Sequence, residues 1–184
     1  MILSNFKKIL IGGVEQKQLF INGVQVWKSG YKNWVRYSIN ADGTIYNNGL
    51  GYKNGYRVRS GGAEGAAAAA SCTGFIPAIG GDVVRLSGYD VTSIEAAANA
   101  INVFDSGFNN LGQTVANSPN YGYGIMQTTW TDYNWGKSKG VKEESPGVYA
   151  WTIPPDASIK YIRVSGYTGG DGSKMIVTIN EDIA

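Results

Sequence analysis

Two dipeptides ten residues apart constrain the start of this chain more than any other feature: Gly12-Gly13 follows Ile9-Leu10-Ile11, and Asn22-Gly23 follows Leu19-Phe20-Ile21. Both accept positive φ at consecutive positions, as the type I′ turn of a tight hairpin requires. The near-repeat, Ile9 to Glu15 echoed by Leu19 to Gln25, therefore predicts a small three-stranded β-meander. Val14 to Ile21 serves both hairpins in that reading, and Val24 to Trp27 closes the sheet. A module of roughly 28 residues buries too little surface to be stable alone, so it is built to dock on another subunit or domain.

The rest of the chain reads as short strands cut by turn residues. Of 184 residues 26 are Gly and 12 are Tyr, while only 16% are charged, too few for long amphipathic helices. Trp34 to Ile39 alternates, Asn40-Ala41-Asp42-Gly43 turns the chain into Thr44-Ile45-Tyr46, and Tyr56 to Arg59 is a further strand. Phe75-Ile76-Pro77, Val83 to Tyr89, Ile101 to Asp105, Val148 to Ile153 and Lys174 to Ile179 follow. One hexapeptide occurs twice in near-identical form, Val84-Arg85-Leu86-Ser87-Gly88-Tyr89 and Ile162-Arg163-Val164-Ser165-Gly166-Tyr167. It predicts two strands of like environment, apolar residues inward, Arg and Ser outward. Ala66 to Ala70 reads as one helical turn or a closely packed strand, and Glu95 to Ala100 as local packing or a subunit contact. The expected fold class is all-β: a jelly-roll-like antiparallel β-sandwich over residues 30–184, after an N-terminal β-module over residues 1–29.

Composition removes several chemistries. A net charge of +2 with scattered Lys and Arg gives no basic stripe, so no nucleic-acid partner is expected. No apolar run approaches the roughly 18 residues of a span, and neither membrane insertion nor a signal peptide is expected. The single Cys72 forms no intrachain disulfide and reads as a small buried residue. The absence of His removes Ser-His-Asp and Cys-His catalysis and imidazole zinc sites. No catalytic residue, metal site or cofactor is therefore assigned, with Asp105 and Asp171 the nominal carboxylates for a calcium exception. Glycoside hydrolysis by paired carboxylates remains formally open. Yet Asp42, Asp90 and Asp171 sit beside Gly or at strand exits, and Glu143-Glu144 reads as a solvated face.

One segment points to binding. Between Val115 and Gly147, five aromatics fall within fifteen residues: Tyr121, Tyr123, Trp130, Tyr133 and Trp135. Asp132 and Asn134 lie among them, with Asn120, Gln127 and Thr128 close by. A sugar ring stacks its C–H face on Trp or Tyr while its hydroxyls seek amide and carboxylate partners, and this stretch supplies both. Tyr121, Tyr123, Trp130, Asp132, Tyr133, Asn134 and Trp135 are the candidate glycan-binding residues. The competing readings are that at least two of the aromatics fill the edge of the sandwich core, or that they form a protein contact.

Two stretches also resemble a known family. The run from Lys8 to Ser29, KILIGGVEQKQLFINGVQVWKS, is similar to the short N-terminal module of tail and baseplate proteins of phages and prophages of Gram-positive bacteria. The succession Asp42-Gly43-Thr44-Ile45-Tyr46-Asn47, Thr73-Gly74-Phe75-Ile76-Pro77, Ile101-Asn102-Val103-Phe104-Asp105 and Tyr161 to Tyr167 resembles the lectin-like sandwich at the distal end of such proteins. The resemblance implies a non-enzymatic virion component for receptor binding. Its partners would be a bacterial surface glycan and, through residues 1–29, other virion subunits, with homo-oligomers expected from tail symmetry. The alternatives are a structural adaptor contacting only virion subunits, and a carboxylate-based glycan hydrolase or depolymerase.

Overall fold

A computed structural model of the protein describes residues 31–88, 99–116, 130–132 and 141–183, and four short strands within residues 9–28. Backbone packing divides the chain into two compact units, Met1–Lys32 with Ala184, and Asn33–Ile183. In the first, β1 (Ile9–Ile11) pairs antiparallel with β2 (Val14–Gln16), and β3 (Gln18–Ile21) pairs with β4 (Val24–Lys28). The expected three-stranded meander is corrected, because these are two separate two-stranded sheets. Glu15-Gln16-Lys17-Gln18 is polar at four successive positions, so no apolar alternation holds one continuous strand in register across both hairpins.

The second unit is an antiparallel β-sandwich, the all-β class expected from sequence. Its larger sheet contains β5 (Tyr52–Val58), β6 (Glu64–Thr73), β7 (Ile76–Pro77), β9 (Ala100–Phe104), β10 (Asn110–Ala116), β11 (Trp130–Asp132) and β14 (Tyr161–Tyr167). The spatial order is β11-β10-β9-β14-β6-β5, with β7 also paired to β14. The smaller sheet runs β12-β13-β8-β15, from β8 (Val83–Ser87), β12 (Lys142–Ser145), β13 (Val148–Thr152) and β15 (Ile176–Ile179). This order does not by itself make the sandwich a jelly roll. The core follows from period-two alternation. Val84, Leu86, Tyr149, Trp151 and Val177 of the smaller sheet share one buried cluster with Ile101, Val103, Ile162 and Val164 of the larger. Among the described residues no helix is long and apolar enough to cross a membrane.

One local expectation is overturned, and the alanine run resolves to the second of its two readings. Trp34–Tyr37 is a 3₁₀ turn rather than a strand, with Asn33 as its cap: the side-chain carbonyl accepts from the Val35 N–H. The same Asn33 donates to the Met175 carbonyl at 2.9 Å and accepts from the Val177 N–H at 3.1 Å, so the turn is tied to β15 and only Val35 of its residues is buried. The alanine run is strand. Ser71 pairs with Asn54 but Ala66 pairs with Tyr56, so Ala67–Ala70 lie opposite Gly55 alone and form a wide bulge. There β6 turns to β14, with Ala70 opposite Tyr167, and the Ala69 carbonyl accepts from Thr168 and Gly170. Small side chains permit that approach of backbone to backbone.

The twin hexapeptides do not share an environment. β8 follows the expected alternation: Val84 and Leu86 are buried, while Arg85 keeps its side chain 17% exposed and pairs with Glu144 and Asp182. β14 is buried along Ile162 to Gly166, with Arg163 only 6% exposed and Ser165 fully enclosed. The expectation that Arg163 and Ser165 point to solvent is therefore corrected. The face of the larger sheet away from the core is itself covered, by Tyr46, by Glu64 and by a second apolar cluster of Val58, Cys72 and Phe104 with Tyr56, Phe75 and Tyr161. Phe75 meets Phe104 edge-on at 5.0 Å, and Phe108 stacks on Tyr161 at 4.8 Å. Tyr89, Asp90 and residues 95–98 lie outside the described residues.

Candidate functional site

The covered outer face of the larger sheet is where polar side chains concentrate. Alternation along β14 sends Ile162 and Val164 into the core and Arg163 to the opposite side. Register then places Asn102 of β9 beside Arg163, Gln113 of β10 beside Asn102, and Cys72 of β6 beside Ser165. Arg163 Nε donates to the Thr73 carbonyl at 3.0 Å and Nη2 donates to Glu64 Oε1 at 2.7 Å. The Tyr46 hydroxyl donates to the same oxygen at 2.7 Å, and Lys53 Nζ donates to Oε2 at 2.9 Å. The guanidinium also lies 5.1 Å from the Phe75 ring and 5.4 Å from the Tyr46 ring, within cation–π range.

This cluster is chemically closed. Burial alone would raise the Glu64 pKa, but hydrogen bonds from Arg163, Tyr46 and Lys53 outweigh it and bring it down to about 2. Burial pushes the Tyr46 hydroxyl well up, helped by Cys72 and Glu64, and burial likewise raises the Cys72 thiol. Cys72, 3.7 Å from the Tyr46 oxygen, is fully enclosed as its reading as a buried residue required. A permanently charged carboxylate fixed by three donors is a clamp, holding the hairpin of β5 and β6 and the segment around Tyr46 onto β14. Because the folded pKa is depressed, the contribution of Glu64 is complete above its unfolded value near 4.5 and is lost as pH falls toward about 2. Wild type should melt above Glu64→Gln by an amount equivalent to about 2 to 3 kcal/mol at pH 7, and the gap should shrink to under about 1 kcal/mol by pH 2.5. Melting curves of both proteins across that range measure it, and a gap that stays constant with pH would contradict the clamp.

Beside the clamp, two atoms lack partners. Asn110 Nδ2 donates to Asn102 Oδ1 at 3.2 Å, but Asn102 Nδ2 and Gln113 Oε1 have no hydrogen-bond partner, with Asn102 fully buried and Gln113 6% exposed. An unpaired buried polar group costs about 1 to 3 kcal/mol, so this pair stands apart from its satisfied neighbours.

Asp105 and Asp171 serve turns. Asp105 accepts from the backbone N–H groups of Gly107 and Asn109 and from the Asn109 side chain, and Asp171 accepts from Ser173. The oxygens of both nominal calcium candidates thus face N–H and O–H donors, and no group of three His, Cys, Asp or Glu that could hold a metal gathers among the described residues. Side-chain and backbone hydrogen bonds lower the pKa of Asp42, Asp105, Asp156 and Asp171. A glycosidase acid needs the opposite shift. A cleft of about 210 Å³ lies elsewhere, between Arg36, Leu50, Tyr52 and Met175.

Of the sequence-derived binding residues, Tyr121, Tyr123, Tyr133, Asn134 and Trp135 lie outside the described residues, as do Asn120, Gln127 and Thr128. Trp130 and Asp132 lie in β11, the edge strand of the larger sheet, in register with Ala116 and Thr114 of β10. Glu64, Arg163, Asn102 and Gln113 were not singled out by sequence reasoning. The available signal was Phe104: it shares strand parity with Asn102, and a large aromatic on the face away from the core implies that this face is covered too. Comparison with family models, with curated proteins and with solved structures finds no match to this chain.

Proposed function

We propose that this chain is a non-enzymatic tail or baseplate component of a phage or prophage virion, and that its sandwich binds a carbohydrate on the bacterial surface. The aromatic stretch from Tyr121 to Trp135 is the binding element, and residues 1–29 attach the protein to other virion subunits in a homo-oligomeric assembly. The observation that carries this reading is the pairing of β11 with β10: Trp130–Asp132, within the aromatic stretch, pair with the edge of a large sheet. A platform for stacking a sugar needs such a rigid support. The lowered pKa values of Glu64, Asp105 and Asp171 favour binding over hydrolysis at those carboxylates.

The test separates a sugar platform from core aromatics. Trp130→Ala and Trp135→Ala are each compared with wild type for melting temperature and for binding to Gram-positive cells and purified cell-wall polysaccharides. At least one variant is expected to lose binding about tenfold, the equivalent of 1.4 kcal/mol, with an almost unchanged melting temperature. A buried Trp truncated to Ala would instead cost about 3 to 5 kcal/mol of stability. Loss of several degrees in both variants, with binding per folded molecule unchanged, would overturn the platform. Release of sugar products from the polysaccharide would point to a hydrolase, and virion assembly without any glycan binding to an adaptor.

A further inference from the structure

We infer that Asn102 and Gln113 receive one hydroxyl group of the bound carbohydrate, an inference that rests on the glycan-binding reading and adds a second, polar contact on the outer face of the larger sheet. The two residues are direct cross-strand neighbours on β9 and β10. One leaves a donor unpaired, Asn102 Nδ2, and the other an acceptor, Gln113 Oε1. A hydroxyl satisfies both at once, accepting from the first and donating to the second. A carboxylate or phosphate lacks the proton to donate, and an ammonium lacks the lone pair to accept. The neighbouring charged group on this face is by contrast paired, Arg163 with Glu64 and with the Thr73 carbonyl.

The amides are also held in place. Asn110, half-buried, donates to Asn102 Oδ1 and so fixes which end of the Asn102 amide is left as donor. The Gln113 carbonyl gives up no hydrogen bond when its side chain rotates toward a ligand. β10 continues from Gln113 to Ala116, whose register partner is Trp130. A polar contact at Gln113 and a stacking contact on the aromatic stretch thus belong to one strand and its partner.

Water offers the same chemistry as a sugar hydroxyl, and the experiment distinguishes them. Gln113→Met and Asn102→Leu keep side-chain size; the first removes the unpaired acceptor, the second the unpaired donor together with the oxygen that accepts from half-buried Asn110. Both are measured with wild type and Trp135→Ala for melting temperature and for affinity to purified Gram-positive cell-wall polysaccharides. Binding is expected to fall at least about tenfold in Gln113→Met and Asn102→Leu, with the melting temperature unchanged or raised in Gln113→Met. Wild-type affinity in Gln113→Met, with Trp135→Ala impaired, would overturn this inference alone and leave a buried water as the occupant. A fall of several degrees in both amide variants would also overturn it, since the amides would then have partners within the protein. Absence of polysaccharide binding by wild type would overturn the glycan-binding reading itself.

Discussion

Arg163→Ala should destabilise the sandwich by about 3 kcal/mol, while Arg85→Ala, its counterpart in a near-identical hexapeptide, should cost less than about 1 kcal/mol. Breaking a buried pair leaves an uncompensated charge and typically costs about 3 to 5 kcal/mol. The lower end applies because Glu64 retains Lys53 and Tyr46 as donors. Arg163 also supplies the donor to the Thr73 carbonyl, a buried acceptor left unpaired when it goes. Arg85 instead pairs with Glu144 and Asp182, whose side chains are 44% and 63% exposed, and solvent screens such pairs. For a unit of this size each kcal/mol moves the melting temperature by about 2 to 4 °C, so the expected losses are about 6 to 12 °C against no more than about 4 °C. Thermal unfolding of the two variants in parallel decides it. Equal losses would mean that the outer face of the larger sheet is as open to water as that of the smaller.

Gly51→Ala should cost about 3 to 4 kcal/mol, against about 1 kcal/mol for Gly43→Ala. Both glycines have left-handed backbone, φ +78° and +83°, so each substitution carries the strain of placing an L side chain there, about 1 to 2 kcal/mol. They differ in what surrounds them. A Cβ at Gly51 would collide with the Val35 carbonyl oxygen and press on Arg36 Cα, both backbone, whereas a Cβ at Gly43 would meet nothing within 4 Å. Gly51 is also where the chain closes on itself: its N–H donates to the Tyr46 carbonyl at 2.9 Å and its carbonyl accepts from Ser38 Oγ. Displacing it would disturb the segment that carries Tyr46 to Glu64. Urea unfolding of both variants checks this, and matching midpoints would show that the 3₁₀ turn yields freely to the added methyl.

The strands were legible because their information is local. Val84 and Leu86 alternate with Arg85 and Ser87, and that pattern names both the strand and its buried face. The same pattern in β14 names the strand equally well and says nothing of whether its other face is covered. That depends on Tyr46 and Glu64, residues more than 90 positions away in the chain. Trp34 to Ile39 shows the reverse failure. Its alternation suits a strand, but the side chain of Asn33 caps a 3₁₀ turn and links it to Met175 and Val177, contacts 142 and 144 residues distant. Asn102 and Gln113 carried no sequence signature as a pair, because only the register of β9 against β10 brings them together. For the aromatic stretch, sequence chemistry suggests what it recognises, and its rooting in the sheet edge through β11 comes from pairing.

The position of β14 between β9 and β6 has a consequence for how the chain comes to be assembled. The Val164 N–H donates to the hydroxyl of Thr73, 91 positions earlier, and both inner edges of the larger sheet wait for the same late strand. A nascent chain that has emerged through β13 holds β6 and β9 as unjoined edges, with nothing yet to zip them together. Topologies dominated by such distant pairing fold on the slow scale of about milliseconds to seconds. Until β14 arrives, those two open edges are available to other chains as readily as to each other. A high local concentration of nascent chains would make that interval a hazard, and slow translation before Tyr161 would lengthen it.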